Sequence, residues 1–317
     1  MKTAIGVDIG GMSIKIGFVD SEGNIKGRHS FPVDYSLKQE EIIEQLGRDI
    51  NESIASSGLR KEDLSGIGIG CPGAINTKTG YCDYASNLHW ENLDICGIVS
   101  KITGLPSKIG NDANVAILGE AKFGAGKNYH NIVLLTLGTG VGGGLYLNDQ
   151  LFEGNEGKGG ELGHVSIDIN GRPCGCGRKG CFEKYASASA LVADTKEKML
   201  KVACSSMWDY CGRDIEKVDG RTAFECAKKG DKAANEVVDQ YIRFLGEGIL
   251  NFCNIFRPDA ILLSGGLSNQ KEYLTDKLEA YMKEWNYGFP CTPSVEIKIA
   301  KLGSLTGIYG AASLQLF

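Results

Sequence analysis

The sequence lacks the marks of several classes of protein. Its 34 lysines and arginines are outnumbered by 39 aspartates and glutamates, and the net charge of -5 does not favour the basic face that nucleic-acid-binding domains need. No run of about 18 apolar residues is present, and no apolar stretch of signal-peptide type precedes Ile5, Val7 and Asp8. We therefore expect a cytoplasmic protein with neither nucleic-acid nor membrane partners.

Cysteine is present, but not in the arrangement of a secreted protein. Eleven cysteines are an odd number, and most of them are scattered. This usage indicates free thiols in a reducing compartment rather than a disulfide framework.

Glycine is the residue in excess. The 317 residues include 44 glycines, roughly twice the number expected at an average usage of about 7%. The length suits two lobes with a core each, and the glycines indicate close approach of backbone to a ligand.

Two stretches share one pattern, an alternating apolar strand, a glycine turn and a second strand. The first turn is Asp8-Ile9-Gly10-Gly11, and the second is 138–144, with five glycines that we expect to have no packing use. Both turns suit phosphate groups, although a plain hairpin turn remains the alternative for the first. A Rossmann or Walker loop is disfavoured, since a strand and not a helix follows.

Between these turns, helical and strand patterns alternate, which predicts an α/β protein. We expect one lobe to comprise residues 1–113, with 302–317 packing back onto it, and the other 114–301. A third glycine element, Ser264-Gly265-Gly266-Leu267, is expected to open a helix after the strand Ala260–Leu263. The predicted helices span Ile42–Ile54, Ala113–Phe123, Ala233–Phe256, Glu272–Trp285 and Thr306–Leu316.

A metal site is predicted by the spacing H-x9-C-x-C-x4-C. Its members are His164, Cys174, Cys176 and Cys181, with glycines between the cysteines that permit tight turns. Four such ligands match a closed tetrahedral zinc site, which is structural because no coordination position is left for water. The alternative is three free thiols beside an unrelated histidine.

Three carboxylates near these motifs are candidates for chemistry. Asp112, in Asn111-Asp112-Ala113-Asn114, is either a helix N-cap or a base at the mouth between the lobes. Glu161 and Glu183 flank the zinc loop and are either solvent-facing or held well enough to bind hydroxyl groups.

Six motifs, spread over nearly the whole chain, belong together: Asp8–Gly11, Cys71-Pro72-Gly73, Asn111–Asn114, Leu137–Gly144, Gly160–His164 and Cys174–Glu183. In these motifs the chain resembles the ROK family of sugar kinases and sugar-responsive repressors. The resemblance implies an actin-like (ribonuclease H-like) ATPase fold with ATP and sugar in an interlobe cleft, and a homodimer or a dimer of dimers. Two departures are Met12, where the family usually has threonine, and Gly303–Gly307.

The resemblance also implies roles for single residues. Asp112 is the implied general base, and the implied sugar-binding residues are Asn111, Asp112, Glu161, His164 and Glu183. His164 would bind zinc through one ring nitrogen and face the sugar with the other. The residues expected to hold ATP and Mg²⁺ are Asp8, Gly10, Gly11, Ser13, Lys15, Thr139, Gly140, Gly265 and Gly266.

The expected activity is therefore phosphorylation of a hexose by ATP. Glucose is the first choice, because the stretch Ala85–Trp90 and the intact loops look most like bacterial glucokinases. N-acetylmannosamine or another hexose is second and fructose third. A repressor is the rival from another class, but we expect no DNA-binding domain ahead of the first lobe, because the aspartate of the phosphate turn is already residue 8. A sugar-binding protein without catalysis is a further rival.

Overall fold

A computed structural model of the chain describes residues 2–288 and 291–317. It is a mixed α/β structure, which confirms the predicted class. The strands are β1 (Thr3–Ile9), β2 (Ser13–Asp20), β3 (Ile25–Pro32), β4 (Leu64–Cys71), β5 (Ala74–Asn76), β6 (Tyr81–Ala85), β7 (Trp90–Asp94), β8 (Ser107–Asn111), β9 (Ile132–Leu137), β10 (Val141–Leu147), β11 (Gln150–Phe152), β12 (Ala260–Ser264) and β13 (Glu296–Ile299). The α-helices are α1 (Gln39–Ser57), α2 (Ile95–Thr103), α3 (Asp112–Phe123), α4 (Glu183–Ala186), α5 (Ala188–Lys201), α6 (Met207–Tyr210), α7 (Thr222–Lys228), α8 (Lys232–Phe256), α9 (Glu272–Trp285) and α10 (Thr306–Leu316).

The first sheet has the strand order β3-β2-β1-β4-β8. Strand β1 runs antiparallel to β2 and parallel to β4, and β4 runs parallel to β8. The carboxyl ends of β1, β4 and β8 therefore lie at one edge of the sheet, where open α/β sheets bind ligands. In this register Asp8 lies opposite Gly70, and Cys71 lies opposite Asn111.

Alternation along β1 gives this sheet two buried faces. Ile5 and Val7 belong to a core that includes Ile43 of α1, whereas Ala4 packs with Ile308 of α10. Helix α10 lies so close that a Cβ on Gly6 would come within 2.0 Å of the Ile308 carbonyl oxygen. Glycine is therefore required at residue 6 by the packing of a helix on a strand.

The second sheet has the order β11-β10-β9-β12-β13, and a small third sheet has the order β5-β6-β7. Strand β12 runs parallel to both β9 and β13. Ser264 pairs with Thr136, so the chain leaves β9 and β12 at the same edge.

By packing, the chain divides into two compact units. The first consists of the described residues up to His130, Gly144–Gly160 and Lys301–Phe317, and the second of those in Asn131–Gly143 and Glu161–Ala300. The lobe bounds expected from the sequence, 1–113 with 302–317 and 114–301, stay a prediction. Across residues 2–288 and 291–317, no helix is both long and apolar enough to cross a membrane.

Candidate active site

The glycine turn between β1 and β2 places a charged pair at the edge of the first sheet. Asp8 lies directly opposite Lys15, and the Lys15 Nζ is 3.2 Å from Asp8 Oδ2, with both side chains partly exposed. The Gly10 amide donates to the Ser13 carbonyl at 3.0 Å and closes the turn. Gly11 is exposed, with no atom within 4 Å of where its Cβ would be. The turn therefore leaves room for a phosphate group.

The start of α10 also approaches Asp8 closely. A Cβ on Gly307 would lie 2.4 to 2.8 Å from the carboxyl atoms of Asp8. Sequence reasoning treated Gly303–Gly307 as a departure from a family pattern and missed this role. The available signal was a glycine within the first turn of a predicted helix. Glycine weakens a helix, so its presence there indicates that a larger side chain would not fit.

At the same sheet edge, α3 begins directly after β8, and its N-cap is Asn111. The Asn111 Oδ1 accepts from the amides of Ala113 at 2.9 Å and Asn114 at 3.4 Å, and its Nδ2 donates to the Gly73 carbonyl at 3.1 Å. The interpretation of Asp112 as the N-cap is therefore wrong. Asp112 is the exposed first residue of α3, and its Oδ1 accepts from the Ala113 amide at 2.9 Å.

The second glycine turn, between β9 and β10, is packed more closely than expected. A Cβ on Gly144 would lie 2.8 Å from the Ala113 carbonyl, and one on Gly140 would lie 2.8 Å from Glu183 Oε2. The expectation that these glycines have no packing use is therefore wrong for both. Gly138 does have open space, and Thr139 is exposed, so room for a ligand is at that end of the turn.

The third glycine element lies where β12 ends. Gly265 has a φ of 86°, and a Cβ there would lie 2.6 Å from the Leu137 carbonyl at the end of β9. The element does open a helix, but it is the 3-10 helix Gly266–Gln270, and the predicted α-helix α9 begins only at Glu272. Gly266 has open space around it.

The four predicted zinc ligands come together in the second unit. The ligand atoms of His164, Cys174, Cys176 and Cys181 all lie within 4.8 Å of one another. The Cys176 and Cys181 sulfurs are 3.5 Å apart, and the Cys174 sulfur is 3.7 Å from His164 Nδ1. Tetrahedral zinc with bonds of about 2.3 Å to sulfur needs separations of roughly 3.8 Å. The cluster therefore fits zinc, with His164 Nε2 left over.

Burial raises the pKa of the Cys174 thiol to about 12, while a hydrogen bond from the Arg178 backbone amide lowers that of Cys176. Zinc binds thiolates, so loading this site would release protons.

The backbone of the zinc loop needs some of its glycines. Gly177 and Gly180 have φ values of 88° and 72°, and a Cβ on Gly180 would lie 1.6 Å from the Asp168 carbonyl. Gly175 has open space around it, so the prediction of tight glycine turns applies to two of the three.

The two glutamates beside the loop differ in setting. Glu161 is exposed and precedes the 3-10 helix Leu162–His164, which packs so closely that a Cβ on Gly163 would lie 2.0 Å from the Val141 carbonyl. Glu183 is the first residue of α4, and its Oε1 accepts from the Cys174 thiol at 3.2 Å. With Gly140 beside its other oxygen, Glu183 links the metal cluster to the second glycine turn.

Comparison with known proteins agrees with these motifs. The ROK family model matches residues 4–316. The chain belongs to the ROK family. It is 33% identical to the glucokinase of Streptomyces coelicolor, over 99% of this chain and 98% of that one. It is 29% identical to the xylose repressor of Bacillus subtilis, over 99% of this chain but 77% of the repressor.

A solved structure gives the same result. The ROK family glucokinase from Streptomyces griseus, in complex with glucose and AMPPNP, is 31% identical, with a TM-score of 0.80 over 98% of each chain. This ROK family member accordingly has the actin-like ATPase fold.

Proposed function

We propose that this ROK family protein is an ATP-dependent hexose kinase that converts glucose to glucose 6-phosphate, with Asp112 as its general base. The observation that carries the proposal is that the helix cap and the exposed carboxylate at the start of α3 are two different residues. Asn111 caps the helix, so the exposed Asp112 carboxylate is not needed as the cap. An exposed carboxylate at the carboxyl ends of the parallel strands β1, β4 and β8 has the position that a base needs.

In the proposed reaction, the sugar 6-hydroxyl gives its proton to Asp112 as its oxygen attacks the γ-phosphorus of ATP in line. A phosphorus–oxygen bond to the sugar forms, the bond to the β-γ bridging oxygen breaks, and ADP leaves. Asp8 would hold Mg²⁺, since a carboxylate oxygen suits that ion, which would supply charge neutralisation at the phosphates. Lys15, Gly10, Gly11 and Ser13 would surround the phosphates from one turn, and Thr139 and Gly140 from the other. Gly265 and Gly266 would lie near adenosine.

Asn111, Glu161, His164 and Glu183 would bind the remaining sugar hydroxyls. Zinc on His164, Cys174, Cys176 and Cys181 would fix His164 and Glu183, because four protein ligands leave the ion a structural role. The position of Glu183, two residues after the zinc ligand Cys181, supports this coupling.

Glucose is proposed because a glucokinase at 33% identity matches nearly the full length. N-acetylmannosamine or another hexose is the second candidate and fructose the third. A non-catalytic sugar sensor or repressor is a remote alternative, raised by the similarity to xylose repressors.

We also propose that the protein is cytoplasmic and that it forms a homodimer or a dimer of dimers. Light scattering would measure the oligomeric state.

The test is a coupled ADP-release assay with ATP, Mg²⁺ and a panel of glucose, N-acetylmannosamine and fructose. We expect glucose to give the highest kcat/KM. If kcat/KM for another sugar were more than about tenfold higher, a difference of only ~1.4 kcal/mol, that sugar and not glucose would be the substrate. Absence of ADP release with every sugar, together with calorimetric sugar binding, would favour the sensor.

A further inference from the structure

Arg172, two residues before the first zinc cysteine, makes more contacts than a loop arginine needs. Its Nη2 donates to Asp194 Oδ1 at 2.7 Å, and its Nη1 donates to the Lys184 carbonyl at 2.9 Å. Its guanidinium lies 4.7 Å from the centre of the Tyr185 ring and 5.7 Å from that of Phe244. One side chain of the zinc loop therefore contacts α4, α5 and α8.

The backbone of Arg172 is held as well. Its amide donates to the Tyr185 hydroxyl at 2.8 Å, and its carbonyl accepts from the Gly180 amide at 2.8 Å. Gly171 makes room for this arrangement, since a Cβ there would lie 1.9 Å from the Tyr185 hydroxyl oxygen. The two sides of the loop and α4 are thus joined at Arg172.

These partners are the chain neighbours of the candidate site. Lys184 and Tyr185 directly follow Glu183, and Gly180 directly precedes Cys181. The ion pair with Asp194 is also well protected, because the Arg172 and Asp194 side chains are 33% and 14% exposed. A protected ion pair, supported by a second hydrogen bond and by contacts with two aromatic rings, holds geometry in a way that an exposed ion pair does not.

We propose that Arg172 is a positioning residue, which fixes the zinc loop to α4 and α5 and so holds Glu183 in its sugar-binding position. The inference rests on the proposed function. The cluster of zinc ligands anchors one end of the loop and Arg172 anchors the other. Loss of Arg172 should loosen Glu183 without removing any ligand of the metal or any group that meets ATP.

The test compares Arg172→Lys with a matched control, Arg213→Lys. Arg213 pairs with Asp209 at 2.9 Å in the same unit, but both side chains are at least 70% exposed. In Arg172→Lys the KM for glucose should rise about tenfold, as it does when groups that orient a ligand shell are changed. The KM for ATP should stay within about twofold, and zinc content should be unchanged. Arg213→Lys should match the wild type.

Two results would overturn the inference. One is an unchanged KM for glucose in Arg172→Lys, even if its melting temperature falls, since that describes a merely structural arginine. The other is an equal rise of both KM values. The proposed function fails separately, because it would fail in the wild type, which would then phosphorylate no hexose. In that case glucose binding by calorimetry replaces KM as the measurement, and an unchanged Kd in Arg172→Lys would overturn the inference.

Discussion

Replacing Asp112 by asparagine distinguishes a general base from a side chain that only helps to start a helix. The two side chains are nearly the same size, and asparagine keeps an oxygen that can accept the hydrogen bond which the Ala113 amide gives to Asp112 at 2.9 Å. Asparagine cannot accept a proton at neutral pH. Sugar binding should therefore survive, and the chemical step should fail.

The structure separates the two effects in size. Because Asn111 caps α3, the helix cap is kept in the variant, and loss of the negative charge at the helix N-terminus costs about 0.3–1 kcal/mol. Loss of a general base costs roughly 10²–10⁴ in rate, or about 3–5.5 kcal/mol. We expect a melting temperature within a few degrees of the wild type and a kcat lowered at least about a hundredfold.

The measurement is kcat by coupled ADP release, beside glucose affinity by calorimetry, on one preparation. Asp94→Asn is the matched control, because Asp94 caps α2 in the same unit by accepting from the Gly97 amide at 2.8 Å, and asparagine caps equally well. That variant should keep wild-type kcat. A kcat for Asp112→Asn within about tenfold of the wild type would remove Asp112 as the base.

Three further predictions address the metal, the nucleotide and the fold. Cys176→Ser should lose zinc, lower the melting temperature and raise the KM for the hexose, since such zinc sites contribute an apparent ~10–16 kcal/mol to folding. The site would be contradicted if the wild type, purified under reducing and chelator-free conditions, held less than about half an equivalent of zinc by mass spectrometry. Gly307→Ala should displace Asp8 and raise the KM for ATP more than that for the hexose; equal KM values in mutant and wild type would argue against Asp8 in nucleotide binding. Asp231 caps α8, and although burial raises its pKa, amide and hydroxyl donors outweigh this and lower it. Its contribution to stability is therefore present above about pH 4 and lost as the pH falls, so Asp231→Ala should cost about 0.5–2 kcal/mol in urea unfolding at pH 7 and less at acid pH.

Much of the fold could be predicted where the sequence pattern is local. The predicted spans of α9 and α10 agree with the structure, and that of α8 differs by one residue at its start, because apolar periodicity marks a helix that packs on one face. The small sheet of β5, β6 and β7 and the helix α5 were missed. Strands of three to five residues are too short to show a clear alternation.

The candidate site, like the fold, could be predicted from the sequence only where the pattern is local. The zinc ligands lie within one short stretch joined by glycines, so spacing alone indicates that they can meet. At the start of α3, Asn111 and Asp112 are both good capping residues by type. The extended backbone of Asn111, with φ of -61° and ψ of 146°, decides which of them is the cap. Residue preferences alone do not predict these angles.

What the amino-acid sequence determined by itself was the α/β class, the family and the spacing of the metal ligands, because these depend on order along the chain. Only the tertiary structure decided why certain glycines are needed. Gly307 makes room for Asp8, Gly140 for Glu183 and Gly6 for α10, and each partner is distant in sequence. From the sequence alone, a glycine suggests a flexible backbone. At these positions glycine is instead needed because another part of the chain occupies the space where a Cβ would lie.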